Sequence, residues 1–440
     1  MTRLQARWLA LLALGAVIAG SGCGATPRRR HPRAGTAAAG RATGPRILLP
    51  SPSQLNVGLT ESNASLLWSP ASDQSSGPAP GDSLTPGLGA WRERVTALRP
   101  QYVRIDVDWA RIQPRRDVPP VWDVPQVGCQ RGRRPCLPYR GISDELAAIA
   151  SQQHALGGFE PLVDIYDAPA WAALPPSGCE QADILPRSRP IAPAAVPAYR
   201  TLIRSLLELA RRQGVALPYW TPWNEPNHPF FFSPQRARCS TAAPSLAPAR
   251  YVTLAHAMAA ELARAPGSHE LVLGELAGIP ARGGPHATGI AEFVADLPRD
   301  VVCATDLWSV HDYARPGGPP RPDEAAVLER ALDARGPCGR RARIWVTETG
   351  AGRPRLGAAA ITDPALRRAG CRALSRDLRR WSRDPRVQAA FQYTFREDPA
   401  FPVGLADAHL TTLYPAYYLW VEWGRAPARS APHPLPPECA

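Results

Sequence analysis

The strongest constraint on this chain is an alternation. Eight short apolar or alternating runs recur between residues 56 and 395: NVGLTES (56–62), YVRIDVDW (102–109), FEPLVDIYD (159–167), PYWTPWNE (218–225), ELVLGEL (270–276), LWSVHDY (307–313), RIWVTETG (343–350) and AAFQYTF (389–395). Between them lie stretches with apolar residues at helical spacing, such as DELAAIASQQHA, YRTLIRSLLELARRQG and YVTLAHAMAAELARA. The second closes on arginines and Gly214, a helix-end signal. Strands that alternate with helices build a parallel sheet, and eight such units over roughly 340 residues predict a closed (β/α)8 TIM barrel. The rival is an open doubly wound sheet, which calls for a glycine-rich phosphate turn after the first strand. NVGLTESN has none. A single α/β barrel domain over residues 47–440 is therefore expected.

Composition narrows the function. With 45% hydrophobic and 20% charged residues in 440, the chain has material for a core and is not a disordered polymer. Its formal charge of +13 does not describe a nucleic-acid binder. All 51 basic residues are arginine, and eight of them fall in residues 1–46, which hold no acid. The other 43 face 38 acids, so the excess sits mostly in the N-terminal arm rather than on a nucleic-acid-binding face or helix.

The basic arm has its own logic. Arg3 and Arg7 precede an apolar run, WLALLALGAVIA (8–19), followed by Gly20, Ser21, Gly22 and Cys23. This is the order of an export signal over residues 1–23, and its apolar stretch is short of the ~20 residues of a membrane span. Gly22-Cys23 resembles a bacterial lipoprotein signal, although Gly20 stands where that pattern prefers a leucine-like residue. A lipid anchor on Cys23 is left open. Residues 24–46, rich in Pro, Arg and Ala, read as an extended linker. Apart from Cys23 there are eight cysteines, an even number suited to disulfides in an oxidising compartment, and no CxxC pair that would point to zinc.

In a barrel, catalytic side chains sit where strands run into the loops at their C-terminal ends. Two carboxylates stand there. The fourth run ends Trp223-Asn224-Glu225-Pro226-Asn227 and the seventh ends Val346-Thr347-Glu348-Thr349-Gly350. Their spacing of 123 residues is three repeats of 41, as strands four and seven require. Two carboxyl groups facing one pocket suit glycosidic bond hydrolysis, one protonating the leaving oxygen while the other attacks the anomeric carbon. Mutual repulsion separates their pKa values, so one is protonated while the other is ionised. Singly, a glutamate before proline is an ordinary solvated turn residue; the strand order of the two is what points to chemistry.

These motifs resemble those of clan A glycoside hydrolases, in particular families 39 and 5. In that clan an Asn-Glu pair ends the fourth strand and a Glu ends the seventh, matched here by Asn224-Glu225 and Glu348. Arg104 in YVRIDVDW is similar to the clan's second-strand arginine, and His311-Asp312-Tyr313 to a sixth-strand His-x-Tyr. The eighth strand offers Tyr393 and Phe395 where many members carry tryptophan. The resemblance spans roughly residues 55–425 in element order and implies a retaining β-glycosidase that needs no metal or organic cofactor. Glu225 is then the acid/base and Glu348 the nucleophile. Substrate-binding and supporting roles fall to Asn224, to Arg104 and Tyr313 beside Glu348, and to His311, which orients substrate rather than titrating.

Trp109, Trp171, Trp223 and Trp308 lie near strand ends, where sugar stacking and ordinary packing are both open. The run Phe230-Phe231-Phe232 either walls the site or caps the core. Set on the barrel, Cys303 and Cys338 share the bottom face and Cys179 and Cys239 the top loops. Cys129 with Cys136 and Cys371 with Cys439 complete the expected pairing. The substrate class is a polysaccharide or glycoconjugate outside the cell; sugar, linkage and oligomeric state are not legible. The alternative is a non-catalytic glycan-binding envelope lipoprotein on the same scaffold.

Overall fold

The computed structural model of the chain describes residues 50–61, 63, 66–67, 88–124, 140–279, 283–316, 323–425 and 433–440. The expected export signal, the linker, Cys23 and the Cys129–Cys136 pair lie outside the described residues.

Nine parallel strand segments form one sheet: β1 (Asn56–Thr60), β2 (Tyr102–Asp108), β3 (Glu160–Tyr166), β4 (Tyr219–Thr221), β5 (Glu270–Leu271), β6 (Leu273–Leu276), β7 (Leu307–His311), β8 (Arg343–Thr349) and β9 (Val387–Tyr393). Their order is β5-β4-β3-β2-β1-β9-β8-β7-β6. The two ends of this sheet, β5 and β6, are halves of one strand divided at Val272, so the sheet closes on itself. Eight barrel strands result, as the alternation predicts, with β8 the seventh. The helical stretches read from sequence are helices Gly141–Ala155, Val196–Gln213 and Ala247–Leu262. Gly214 closes the second of these in the left-handed conformation at φ 73°, which glycine adopts without a Cβ penalty.

Side-chain alternation makes the barrel interior a stack of layers. Tyr102, Leu162, Leu307, Trp345 and Phe391 form an apolar plug low in the barrel. Two residues further along three of those strands stand Arg104, Asp164 and Ser309. Another two residues give Asp106, Tyr166 and His311, three of the cavity's lining residues. The intervening strand positions face outward and bury Val103, Ile105, Val163, Ile165 and Val310 against the helices. A polar layer thus rests on a dry floor, where water cannot screen its charges.

Two irregularities re-aim carboxylates. Pairing between β7 and β8 shifts after Val310↔Val346, so that His311 opposes Glu348. The β6–β7 ladder shifts between Leu273 and Leu276, around Gly274 (φ 110°) and Glu275 (φ 50°). Bulges of this kind turn a side chain out of simple alternation.

Three of the expected disulfides are present among the described residues. Cα atoms are 4.9 Å apart in Cys179–Cys239, 5.2 Å in Cys303–Cys338 and 5.5 Å in Cys371–Cys439, all within disulfide range.

Candidate active site

A cavity of about 950 Å³ opens at the C-terminal end of the strands, lined among others by Arg104, Asn224, Glu225, His311, Tyr313 and Glu348. All six site residues expected from sequence therefore meet in one place. One carboxylate oxygen of Glu225 and one of Glu348 lie within 4.8 Å of each other. Glu348 ends β8. Glu225 stands four residues beyond β4, in a turn where its own φ is 39°. Its backbone N–H donates to the Glu275 carbonyl at 3.0 Å. Asn227 locks the same turn, its Nδ2 donating to the Ala277 and Thr288 carbonyls and its Oδ1 accepting from the Ala277 N–H.

Arg104 is 1% exposed and organises the polar layer. One terminal nitrogen lies 2.9 Å from Asp106 and 2.8 Å from Glu348; the other is 2.9 Å from Asp164 and 3.2 Å from Glu275. The second nitrogen also donates to Asn224 Oδ1 at 2.9 Å. A guanidinium only donates, which fixes the Asn224 oxygen on that side. Among the described residues Asn224 Nδ2 makes no hydrogen bond, and it remains a donor to the cavity.

Glu348 also accepts a short hydrogen bond from the Tyr313 hydroxyl. His311 joins the two expected catalytic carboxylates. Its Nδ1 is 2.8 Å from Glu225 and 3.3 Å from Glu348, while Nε2 is 2.7 Å from Glu275. Sequence reading had no place for Glu275, which is fully buried in this layer. The signal that finds it is the glycine inside ELVLGEL: a glycine in a strand marks a bulge, and the residue beside it changes face.

Five carboxylates, Asp106, Asp164, Glu225, Glu275 and Glu348, surround two cationic groups. Burial opposes the charge of His311, but Glu348, Glu225 and Glu275 outweigh it and push the imidazole up to about 10. Glu225 is raised by burial and lowered more by its hydrogen bond and attraction to His311, ending below the usual carboxylate range. Burial raises Glu348 above its ordinary value, although His311 and Arg104 pull it down. Asp164 and Asp106 are both driven up, chiefly by burial and against Arg104. The expected acid is thus the more acidic of the pair, because His311 sits closer to it than to Glu348.

Glu225, His311 and Glu348 are close enough together to hold a metal ion. An imidazole protonated on both nitrogens has no lone pair to give, so the resting arrangement does not suit one. Cys179, Cys239 and His286 also cluster, but both thiols there are spent in a disulfide.

The aromatic lining differs from the tryptophan set considered above. Trp109, Trp223 and Trp308 are fully buried in the core, and Trp171 packs edge-on against Trp109. Tyr166, Phe230, Phe231, Tyr393 and Phe401 line the cavity instead. Phe232 is buried against Trp223, so the phenylalanine run is split: two residues wall the site and the third caps the core. Phe395 likewise turns inward, against Trp91 and Tyr417.

No protein-family model and no curated protein matches the chain. Solved structures do. A family 39 glycoside hydrolase from Bacteroides cellulosilyticus WH2 aligns over 86% of this chain with a TM-score of 0.50 and 17% identity. This chain spans 65% of that enzyme's length. A β-xylosidase from Caulobacter crescentus CB15 aligns over 87% of this chain and 70% of its own, with a TM-score of 0.51 and 16% identity. An endo-β1,6-glucanase, BT3312, aligns over 87% and 79%, with a TM-score of 0.51 and 12% identity. At such identities the likeness is one of fold alone, the (β/α)8 barrel that this chain shares with these glycoside hydrolase structures.

Proposed function

We propose that the chain is a retaining β-glycosidase acting on a polysaccharide or glycoconjugate, with Glu225 as acid/base and Glu348 as nucleophile. The observation that carries this reading is the approach of the two carboxylates to within 4.8 Å across one cavity. Retaining enzymes hold their carboxyl groups at ~5–5.5 Å and inverting ones at ~6.5–9.5 Å. The cavity lies near the top of the ~300–1,000 Å³ range of small-ligand pockets, which supports more than one sugar ring. Three disulfides support an oxidising compartment. With the export signal and the possible Cys23 anchor read from sequence, they favour action at or outside the cell envelope.

In the first displacement Glu348 Oε attacks the anomeric carbon while Glu225 gives a proton to the departing glycosidic oxygen, which keeps the electron pair of the broken bond. Arg104 and Tyr313 favour the charged nucleophile by donating to it. The acid's proton comes from His311: moving the Nδ1 proton along the 2.8 Å bond to Glu225 leaves a neutral imidazole and a protonated acid. In the second displacement Glu225 takes a proton from water, whose oxygen attacks the glycosyl-enzyme ester and frees Glu348. Asn224 Nδ2 hydrogen-bonds the sugar hydroxyl next to the reacting carbon.

The test is Glu348→Ala assayed on activated aryl β-glycosides with and without azide. Activity that disappears and returns as a glycosyl azide of inverted configuration supports the assignment. A wild type that binds saccharides but cleaves none across a broad panel replaces it with the glycan-binding alternative.

A further inference from the structure

Glu275 has no task in the two displacements, yet the site is built around it. It sits at a bulge in the left-handed region, at φ 50°, a conformation unfavourable for a residue with a Cβ. The preceding Gly274 is at φ 110°, and a Cβ there would meet the Ser309 carbonyl at 2.3 Å. The bulge is held at both ends of its peptide: Glu275 N–H donates to the Ser309 side-chain Oγ at 2.8 Å, and the Glu275 carbonyl accepts from the Glu225 N–H at 3.0 Å. The side chain turned inward by this geometry accepts from His311 Nε2 at 2.7 Å and from Arg104 at 3.2 Å.

A carboxylate only accepts, so an imidazole with a carboxylate oxygen on each nitrogen is doubly protonated or shares one proton with a carboxylic acid. Glu275 is not the group that takes the proton. Burial raises it, but Arg104 and His311 bring it down to about 2. On the other ring nitrogen, Nδ1 lies 2.8 Å from Glu225 Oε1 and 3.3 Å from Glu348 Oε2, so the geometry puts the movable proton on the shorter line, to Glu225. The charged groups facing this line are Arg104 and Asp106 on β2, Asp164 on β3, Glu275 on β6 and Glu348 on β8. His228 after β4 and the hydroxyls of Tyr313, Tyr393 and Tyr251 also face these groups.

We propose that Glu275 is the positioning residue of the acid/base. As fixed counter-ion to the Nε2–H of His311, it keeps the ring protonated at Nδ1 and aimed at Glu225. His311 thereby stores the proton that Glu225 delivers to the leaving group and receives it again when Glu225 deprotonates water. No proton is gained or lost over a turnover beyond those of the water added. The assignment of the proton to a catalytic step rests on the glycosidase reading; the geometry of the store does not.

The experiment is ring-nitrogen NMR of His311 in the full chain, followed from pH 6 to 10, in wild type and in Glu275→Gln. Wild type shows both ring nitrogens protonated through at least pH 8. Glu275→Gln keeps the shape but removes the charge, and lowers the His311 titration by one unit or more. The alkaline limb of kcat/KM moves down with it while KM stays within about twofold. A role confined to neutralising Arg104 leaves that limb and the His311 titration in place, and would overturn the proposal. A neutral His311 in wild type at pH 7 overturns it also, which needs no variant and so decides the matter if Glu275→Gln does not fold. If no glycoside is cleaved, the hydrolase reading fails on its own while the NMR titration still judges the proton store.

Discussion

Replacing Tyr313 by phenylalanine isolates one hydrogen bond on the proposed nucleophile. The Tyr313 hydroxyl donates to Glu348 Oε2, and its ring packs edge-on to Phe401 with centroids 5.2 Å apart. Phenylalanine keeps that packing and loses only the donor. A hydrogen bond to a charged group contributes about 1.5–3 kcal/mol. Arg104 at 2.8 Å and His311 at 3.3 Å still face the carboxylate, so the low end applies. At 1.36 kcal/mol per pKa unit, the Glu348 pKa rises by about one unit. The nucleophile must be ionised, so activity is held above its pKa and lost as pH falls through it. Raising the pKa moves the acid limb of kcat/KM toward higher pH by about one unit, a roughly tenfold loss below the limb. The assay is kcat/KM of Tyr313→Phe and wild type on an activated aryl glycoside between pH 4 and 9. An acid limb that stays put, or moves to lower pH, refutes the reasoning.

Other perturbations probe the scaffold. Arg104→Met leaves Asp106, Asp164, Glu275 and Glu348 without their shared guanidinium; urea unfolding is expected to show a loss of about 3–5 kcal/mol. Converting Cys303 and Cys338 together to serine opens a cross-link of 35 residues in sequence separation, and the chain-entropy relation gives about 4 kcal/mol, read as a lower melting temperature. Asp312 is pushed up to about 8, first by burial and then by Asp377. Its raised folded pKa favours folding at low pH, and this contribution is lost as pH climbs from the unfolded value near 4 through 8. Asp312→Asn, whose amide oxygen can still accept from the Glu324 N–H, is therefore expected to match wild type near pH 4. At pH 8 it should be more stable by about 5 kcal/mol, the difference of about four pKa units at 1.36 kcal/mol each, measured by urea unfolding at both pH values.

The barrel was legible because the interior and exterior of each strand obey one period. YVRIDVDW shows it directly: Tyr102, Arg104 and Asp106 turn inward while Val103 and Ile105 turn out. The same period puts Trp308 on the outward face of β7 and so in the core; Trp109 and Trp223 lie just beyond their strands, where the period does not reach, and nearness to a strand end in sequence does not fix which side a ring faces. The two expected catalytic glutamates could be found from their strand order, and the Cys303–Cys338 and Cys179–Cys239 pairs from the end of the barrel each shares, which left Cys371 with Cys439. Glu275 was hidden for the opposite reason. ELVLGEL reads as a plain strand until the bulge at Gly274 reverses its faces, and such a bulge depends on the neighbouring strand at Ser309. His311 was legible as a site residue but not in its bonding. That its two nitrogens meet Glu225 and Glu275 is a fact of three strands at once.

The most direct test of the central claim follows the anomer first released from an activated β-glycoside by proton NMR in the opening minutes of reaction. With one carboxylate oxygen of Glu225 and one of Glu348 within 4.8 Å of each other, the account predicts double displacement, so the β-anomer appears first and mutarotates afterwards. Initial release of the α-anomer by the same enzyme would contradict the double displacement and the roles given to Glu225 and Glu348.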